Sequence, residues 1–111
     1  MESVLISIKK LLGITEECTH FDDDIIMDIN TVLAALDQLG VGNGTVITGA
    51  DETWNDIIGD DARLNFVKSY IHLRVKQLFD PPLSSSVAEA MERTVKELEW
   101  RIILVSDIPL A

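Results

Sequence analysis

Cations and aromatics are what this chain has least of. Nine of its 111 residues are Lys or Arg against nineteen Asp or Glu, for a net charge of −10. That balance excludes a general nucleic-acid binder, because neutralising a phosphate backbone takes clustered cations. Aromatic side chains make up 5% of the chain, so Leu, Ile and Val must build most of the core. The single cysteine, Cys18, has no partner in the chain for a disulfide, which fits a reducing compartment. No apolar run approaches the ~20 residues needed to cross a bilayer. In the opening MESVLISIKKLLG, Lys9 and Lys10 follow the apolar residues, the reverse of a signal peptide. Without a secretion signal the sequon Asn43-Gly44-Thr45 reads as a turn.

The charge that is present is unevenly placed. Residues 1–61 hold thirteen acidic and two basic side chains, for −11; residues 62–111 hold six and seven, for +1. One reading is a solvated acidic face that keeps the protein dispersed. The other is a molecule with two unlike surfaces, suited to head-to-tail contact with its own copies or to distinct partners. The length is that of one domain over residues 1–111, since two cores of half that size would be marginal.

Hydrophobic periodicity predicts an all-α fold. Val4, Leu5, Ile8, Leu11 and Leu12 set a helix over about 3–12, ended by Gly13. Ile25, Ile29, Val32, Leu33, Leu36 and Leu39 set a second over 22–39. Asp22, Asp23 and Asp24 lie in its first turn, where negative charge suits the free amides and the dipole, and Gly40 closes it. Residues 40–53 hold four of the six glycines and read as a flexible or partner-ordered loop. Thr53 caps a short helix near 54–58, with Asp56 at a capping-box position. A long central helix over 61–79 carries the stripe Leu64, Val67, Ile71, Val75 and Leu78, with Phe66, Tyr70 and Leu73 on a second flank. The last helix, over 86–105, has its seam at Met91, Val95, Leu98, Ile102 and Val105, and Ser86 with Glu89 forms a capping box. Residues 107–111 form a tail, because Pro109 disfavours helix before it.

Between the last two helices stands QLFDPPLSSSV. Pro81 and Pro82 lack amide donors and push Asp80 and Pro81 out of helical geometry. Asp80, Pro81, Pro82 and Ser86 therefore form a structural elbow. Its serines lack a G-x-S-x-G context, and only His20 and His72 offer imidazole bases. His20 with Asp22–Asp24 lacks the loop spacing of a cation site, and His72 has Lys68 and Lys76 four residues to either side. Gly40-Val41-Gly42-Asn43-Gly44 follows a helix and lacks the Lys-Ser/Thr ending of a phosphate loop. Glu17 beside Cys18 raises a thiol pKa and so disfavours reactivity. No catalytic, cofactor or metal residue is assigned. Trp54, Trp100, Val46 and Ile47 are the candidate interface residues, Trp100 because it points away from the seam of its helix.

The segments KKLLGI (9–14), HFDDDIIMDINTVLAALDQLGVG (20–42), ETWNDIIGDD (52–61), VKSYIHLRVKQLFDPP (67–82) and EAMERTVKELEWRI (89–102) resemble the head–tail connector, or head-completion and adaptor, proteins of tailed bacteriophages and prophages. The LFDPP elbow, the W-x-D segment and the ELEWR ending are the most specific features. The resemblance implies a non-enzymatic virion protein of the head–tail junction, assembled in the bacterial cytoplasm. It implies a homo-oligomeric ring, commonly about twelve-fold, beneath the portal protein. Such a ring extends the DNA channel without binding DNA specifically, docks a tail-proximal completion protein, and has no cofactor and no membrane contact. An acidic wall would repel phosphates and let DNA slide. A small acidic adaptor domain that binds one basic protein partner is the alternative.

Overall fold

In the computed structural model, which describes residues 3–41, 44–58 and 64–107, the chain folds into five helices. The first, α1 (Val4–Leu11), starts at Ser3, whose Oγ accepts the Ile6 amide at 3.4 Å. It buries Val4, Leu5 and Ile8 on one face. Gly13 adopts φ 81°, and the Ile14 amide donates back to the Lys9 carbonyl at 2.8 Å, which closes the last turn. The same device ends α2 (Asp22–Gln38): Gly40 adopts φ 88° and Val41 donates to the Leu36 carbonyl at 3.0 Å. Both glycines hold a left-handed conformation that other residues rarely adopt. Of the predicted inward residues, Ile25, Ile29, Val32, Leu33 and Leu36 are buried, and Leu39, just past the end of α2, is partly buried.

The short α3 (Trp54–Ile58) begins as its box predicts, with the Thr53 amide donating to Asp56 Oδ2 at 2.9 Å. Next come α4 (Leu64–Phe79) and α5 (Ser85–Asp107). Helix α4 packs against α2 on one side and α5 on the other, while α1 packs on α2. The central place of α4 explains its two apolar flanks: Val67, Ile71 and Val75 are buried, and so is Tyr70. Helix α5 contributes Val95 and Ile102 to the same core. The molecule measures 44 × 36 × 19 Å, so its thin dimension is about two helix diameters. Helix limits differ from the sequence reading by one or two residues, the usual fraying of helix ends. The expected first turn of α4 and the tail at 108–111 lie outside the described residues, as do Gly42 and Asn43.

Three expectations are corrected. The segment expected to be a flexible or partner-ordered loop is tied to the body at several of its described residues. Asn30 of α2 takes the Ile47 amide on its Oδ1 at 2.7 Å and gives its amide to the Ile47 carbonyl at 2.9 Å. Glu52 accepts from the Thr48 hydroxyl and amide at 2.7 and 3.1 Å, and these bonds hold its carboxyl below the usual range. Val4 donates to the Glu52 carbonyl at 3.0 Å, beside an isolated antiparallel bridge between Ser3 and Thr53. Second, the cap of α5 is Ser84, not Ser86. The Ala88 amide reaches the Ser84 carbonyl at 3.0 Å, the Val87 amide faces Ser84 Oγ at 3.5 Å, and Ser86 Oγ bonds sideways to Ser84 Oγ. The helix restarts as soon as the prolines permit, so Ser86 is already inside the first turn. Third, Leu78 leaves the apolar stripe and is 52% exposed. Burial steps by four residues, from Ile71 through Val75 to Phe79, which packs against the core in its place.

Lys9 departs furthest from a surface reading. Although charged, it is 2% exposed. Its Nζ donates to the Glu16 carbonyl at 3.0 Å and lies 2.9 Å from Asp22 Oδ1, an ion pair without hydrogen-bond alignment. A desolvated cation is tolerable only with such partners. The Asp22 Oδ1 that faces Lys9 is buried, but the side chain as a whole is 23% exposed and can turn its carboxylate toward water; Lys9 cannot. Asp22→Asn should therefore cost about 3–5 kcal/mol, and Lys9→Met clearly less. Urea unfolding of both variants checks the order. In the same assay Ser84→Ala should cost about 1 kcal/mol and Ser86→Ala a few tenths.

Candidate subunit interface

Single exposed apolar side chains are ordinary on a protein surface, whereas contiguous ones mark contacts. Two groups stand out. The first lies between the start of α2 and the end of α4. Ile25 and Ile29 face inward, so Met27 between them turns outward and is 62% exposed. Leu78, displaced from the core stripe, faces it, and Phe21 and Phe79 meet edge-on with ring centroids 5.5 Å apart. Asp24 and Asp28 complete an open groove of about 410 Å³. Burial, and then the Asp24 charge one turn away, push the Asp28 carboxyl above its usual range. Neither carboxylate has a cation partner among the described residues.

The second group is on α5. Trp100 is 63% exposed, as its offset from the Val95–Ile102 seam predicts, and Ile103 and Leu104 are exposed beside it. These three sit at i, i+3 and i+4 and share one face. Lys96 and Arg93, four and seven residues before Trp100, extend that stripe and are exposed. Arg101 is engaged with Glu97 at 2.9 Å.

The four interface candidates from the sequence divide evenly. Trp100 and Val46 are exposed. Trp54 and Ile47 are in the core, which corrects their assignment: the Trp54 indole N–H donates to Ser7 Oγ at 3.0 Å, and Ile47 is fixed by Asn30. Lys68 Nζ stands 5.3 Å from the Trp54 ring and covers its outer side. Phe21, Met27 and Leu78 were not singled out by sequence reasoning. Met27 alone gave a signal, as a large apolar residue on the wrong side of a clean stripe.

No chemical constellation forms among these groups. Among the described residues no three His, Cys, Asp or Glu side chains gather to hold a metal. The Ser7 hydroxyl accepts from the Trp54 indole. His72 is half-buried, and burial first, then the neighbouring Lys76, hold its pKa below the ordinary value, partly offset by a backbone hydrogen bond with Leu11. Such a histidine is suited to staying neutral inside the fold rather than to accepting protons.

A sequence model of the phage connector protein family matches residues 4–108. The chain belongs to that family. No curated protein and no solved structure matches it. Membership gives a structural role at the phage head–tail connection and association with other head and tail proteins, as a component of the virion. Among the described residues no helix is long and apolar enough to cross a membrane. A connector works through its faces, and the groove and the α5 stripe each bring several exposed apolar side chains together.

The depressed His72 pKa sets a pH dependence. In the unfolded chain His72 titrates near 6.5; in the folded protein it titrates lower. The unfolded state therefore binds more protons between those values, and stability falls as pH drops below about 6.5. The loss in urea midpoint between pH 7.5 and 5.5 should be smaller for His72→Gln than for the natural chain.

Proposed function

We propose that this chain is the subunit of a closed ring that joins the capsid portal to the tail and lengthens the DNA channel. The match to the phage connector family over nearly the whole chain carries this reading. A cyclic ring uses a heterologous contact, in which one patch of a subunit meets a different patch of the next. The −11 and +1 halves of the chain are compatible with two such patches. The family resemblance favours about twelve subunits. A tail-proximal completion protein docks on the free side, and the acidic half turned toward the lumen lets DNA pass without adhering. The subunit supplies shape and catalyses no reaction.

Mixing the purified chain with its portal protein tests this. Electron microscopy and sedimentation should show a ring seated on the portal, and a mobility-shift assay at physiological salt should show no retention of duplex DNA. A chain that stays monomeric beside the portal, or that forms a one-to-one complex with a single basic protein, would contradict the reading.

A further inference from the structure

We propose that the α5 stripe of one copy, with Trp100, Ile103 and Leu104 as its apolar part and Arg93 and Lys96 as its cations, docks in the Phe21–Met27–Leu78–Phe79 groove of the next copy, whose rim carries Asp24 and Asp28. This rests on the connector reading and names the contact that builds the ring.

The fold keeps the two patches apart within one chain. Gln77 Nε2 donates to Glu92 Oε2 at 2.9 Å, and the Tyr70 hydroxyl is raised in pKa by burial and then by the Glu99 carboxylate. Residue 92 therefore lies beside 77 and residue 99 beside 70, so α4 and α5 run antiparallel. Ile103 is eleven residues past Glu92, about 16 Å along α5 at 1.5 Å per residue. Leu78 and Phe79 lie on the opposite side of Gln77. The apolar part of the stripe and the groove thus sit toward opposite ends of the α4–α5 pair, while Arg93, next to Glu92, lies near the level of Gln77; Trp100, Ile103 and Leu104 cannot fold back into their own groove. A second copy can present them.

Chemistry selects that second copy. An amphipathic helix seats its apolar residues in a groove at i, i+3 and i+4 spacing, which is the spacing of Trp100, Ile103 and Leu104; the groove offers Phe21, Met27, Leu78 and Phe79 to them beside its two carboxylates. The groove rim carries two carboxylates one helical turn apart, Asp24 and Asp28, without cation partners among the described residues. The stripe carries Arg93 and Lys96, also close to one turn apart and exposed. Opposite charges across such a contact fix register and exclude wrong pairings. The contact is heterologous, so repeating it closes a ring or propagates.

Charge exchange tests the pairing. Sedimentation velocity of the full chain, alone and with the portal ring, measures association of the natural protein. Asp24→Lys with Asp28→Lys in the groove, or Arg93→Glu with Lys96→Glu on the stripe, should each weaken self-association about tenfold or more. Trp100→Ala should do the same. An equimolar mixture of the two exchanged chains should associate again, because each then meets a partner of opposite charge. If the change at Asp24 unfolds α2, Asp28→Lys alone replaces the groove variant. Association that survives every exchange, or a mixture that fails to recover it, overturns this contact and leaves the ring reading standing. A natural chain that remains monomeric with the portal ring present overturns both.

Discussion

The buried ammonium of Lys9 is the point on which three separate stretches of chain depend. The Lys9 carbonyl closes α1, while the ammonium donates to the Glu16 carbonyl in the link between the helices and meets Asp22 at the first residue of α2. Phe21 is the residue before Asp22 and stands at the α2 N-cap position, where no side chain bonds to the free amides. The ion pair therefore holds the entry of α2 that a capping side chain would otherwise fix. With the entry held, Phe21 meets Phe79 at the end of α4, and that contact forms one wall of the groove. An electrostatic tie inside the fold thus shapes a groove on its surface.

The acidic character of the first half follows from the same arrangement. Asp22 is turned toward Lys9, while Asp23 and Asp24 are exposed on the first turn of α2. Their charge suits the positive end of the helix dipole, so local stability and surface potential favour the same residues. Asp28 stands one turn further on, beyond most of the dipole's reach, and its carboxyl is pushed upward by burial and by Asp24. That carboxylate contributes little to the isolated subunit and gains from an incoming cation. A residue held in such a place is more easily explained by assembly than by folding.

Periodicity made the helices legible. The inward residues of α2 and the Val95–Ile102 seam were readable from spacing because every member sits within one element. Contacts between distant stretches were not readable. Ile47 stands among glycines, and its burial requires Asn30, seventeen residues earlier. Trp54 is satisfied by Ser7, forty-seven residues away. Leu78 obeyed the stripe rule, but α4 has a neighbour on each side and its buried line moves to Phe79. The burial of Lys9 was not readable either, because nothing in its own turn announces Asp22. At the surface, the offset of Trp100 from its seam was visible in sequence, whereas the groove needs Phe21 and Leu78 brought together from two helices.

The two tryptophans show why the surface was left unfinished. Trp54 is 1% exposed, with its indole N–H bonded and a cation over its face. Trp100 has none of these advantages in the single subunit, although a buried tryptophan contributes about 2 kcal/mol or more through its apolar area. A chain selected for monomer stability alone would turn such a residue inward or replace it with a charged one. Keeping it outside, next to Ile103 and Leu104, withholds that stabilisation from folding and leaves it available to association. A connector requires this division, because it must stay folded alone and still gain from meeting the proteins it joins.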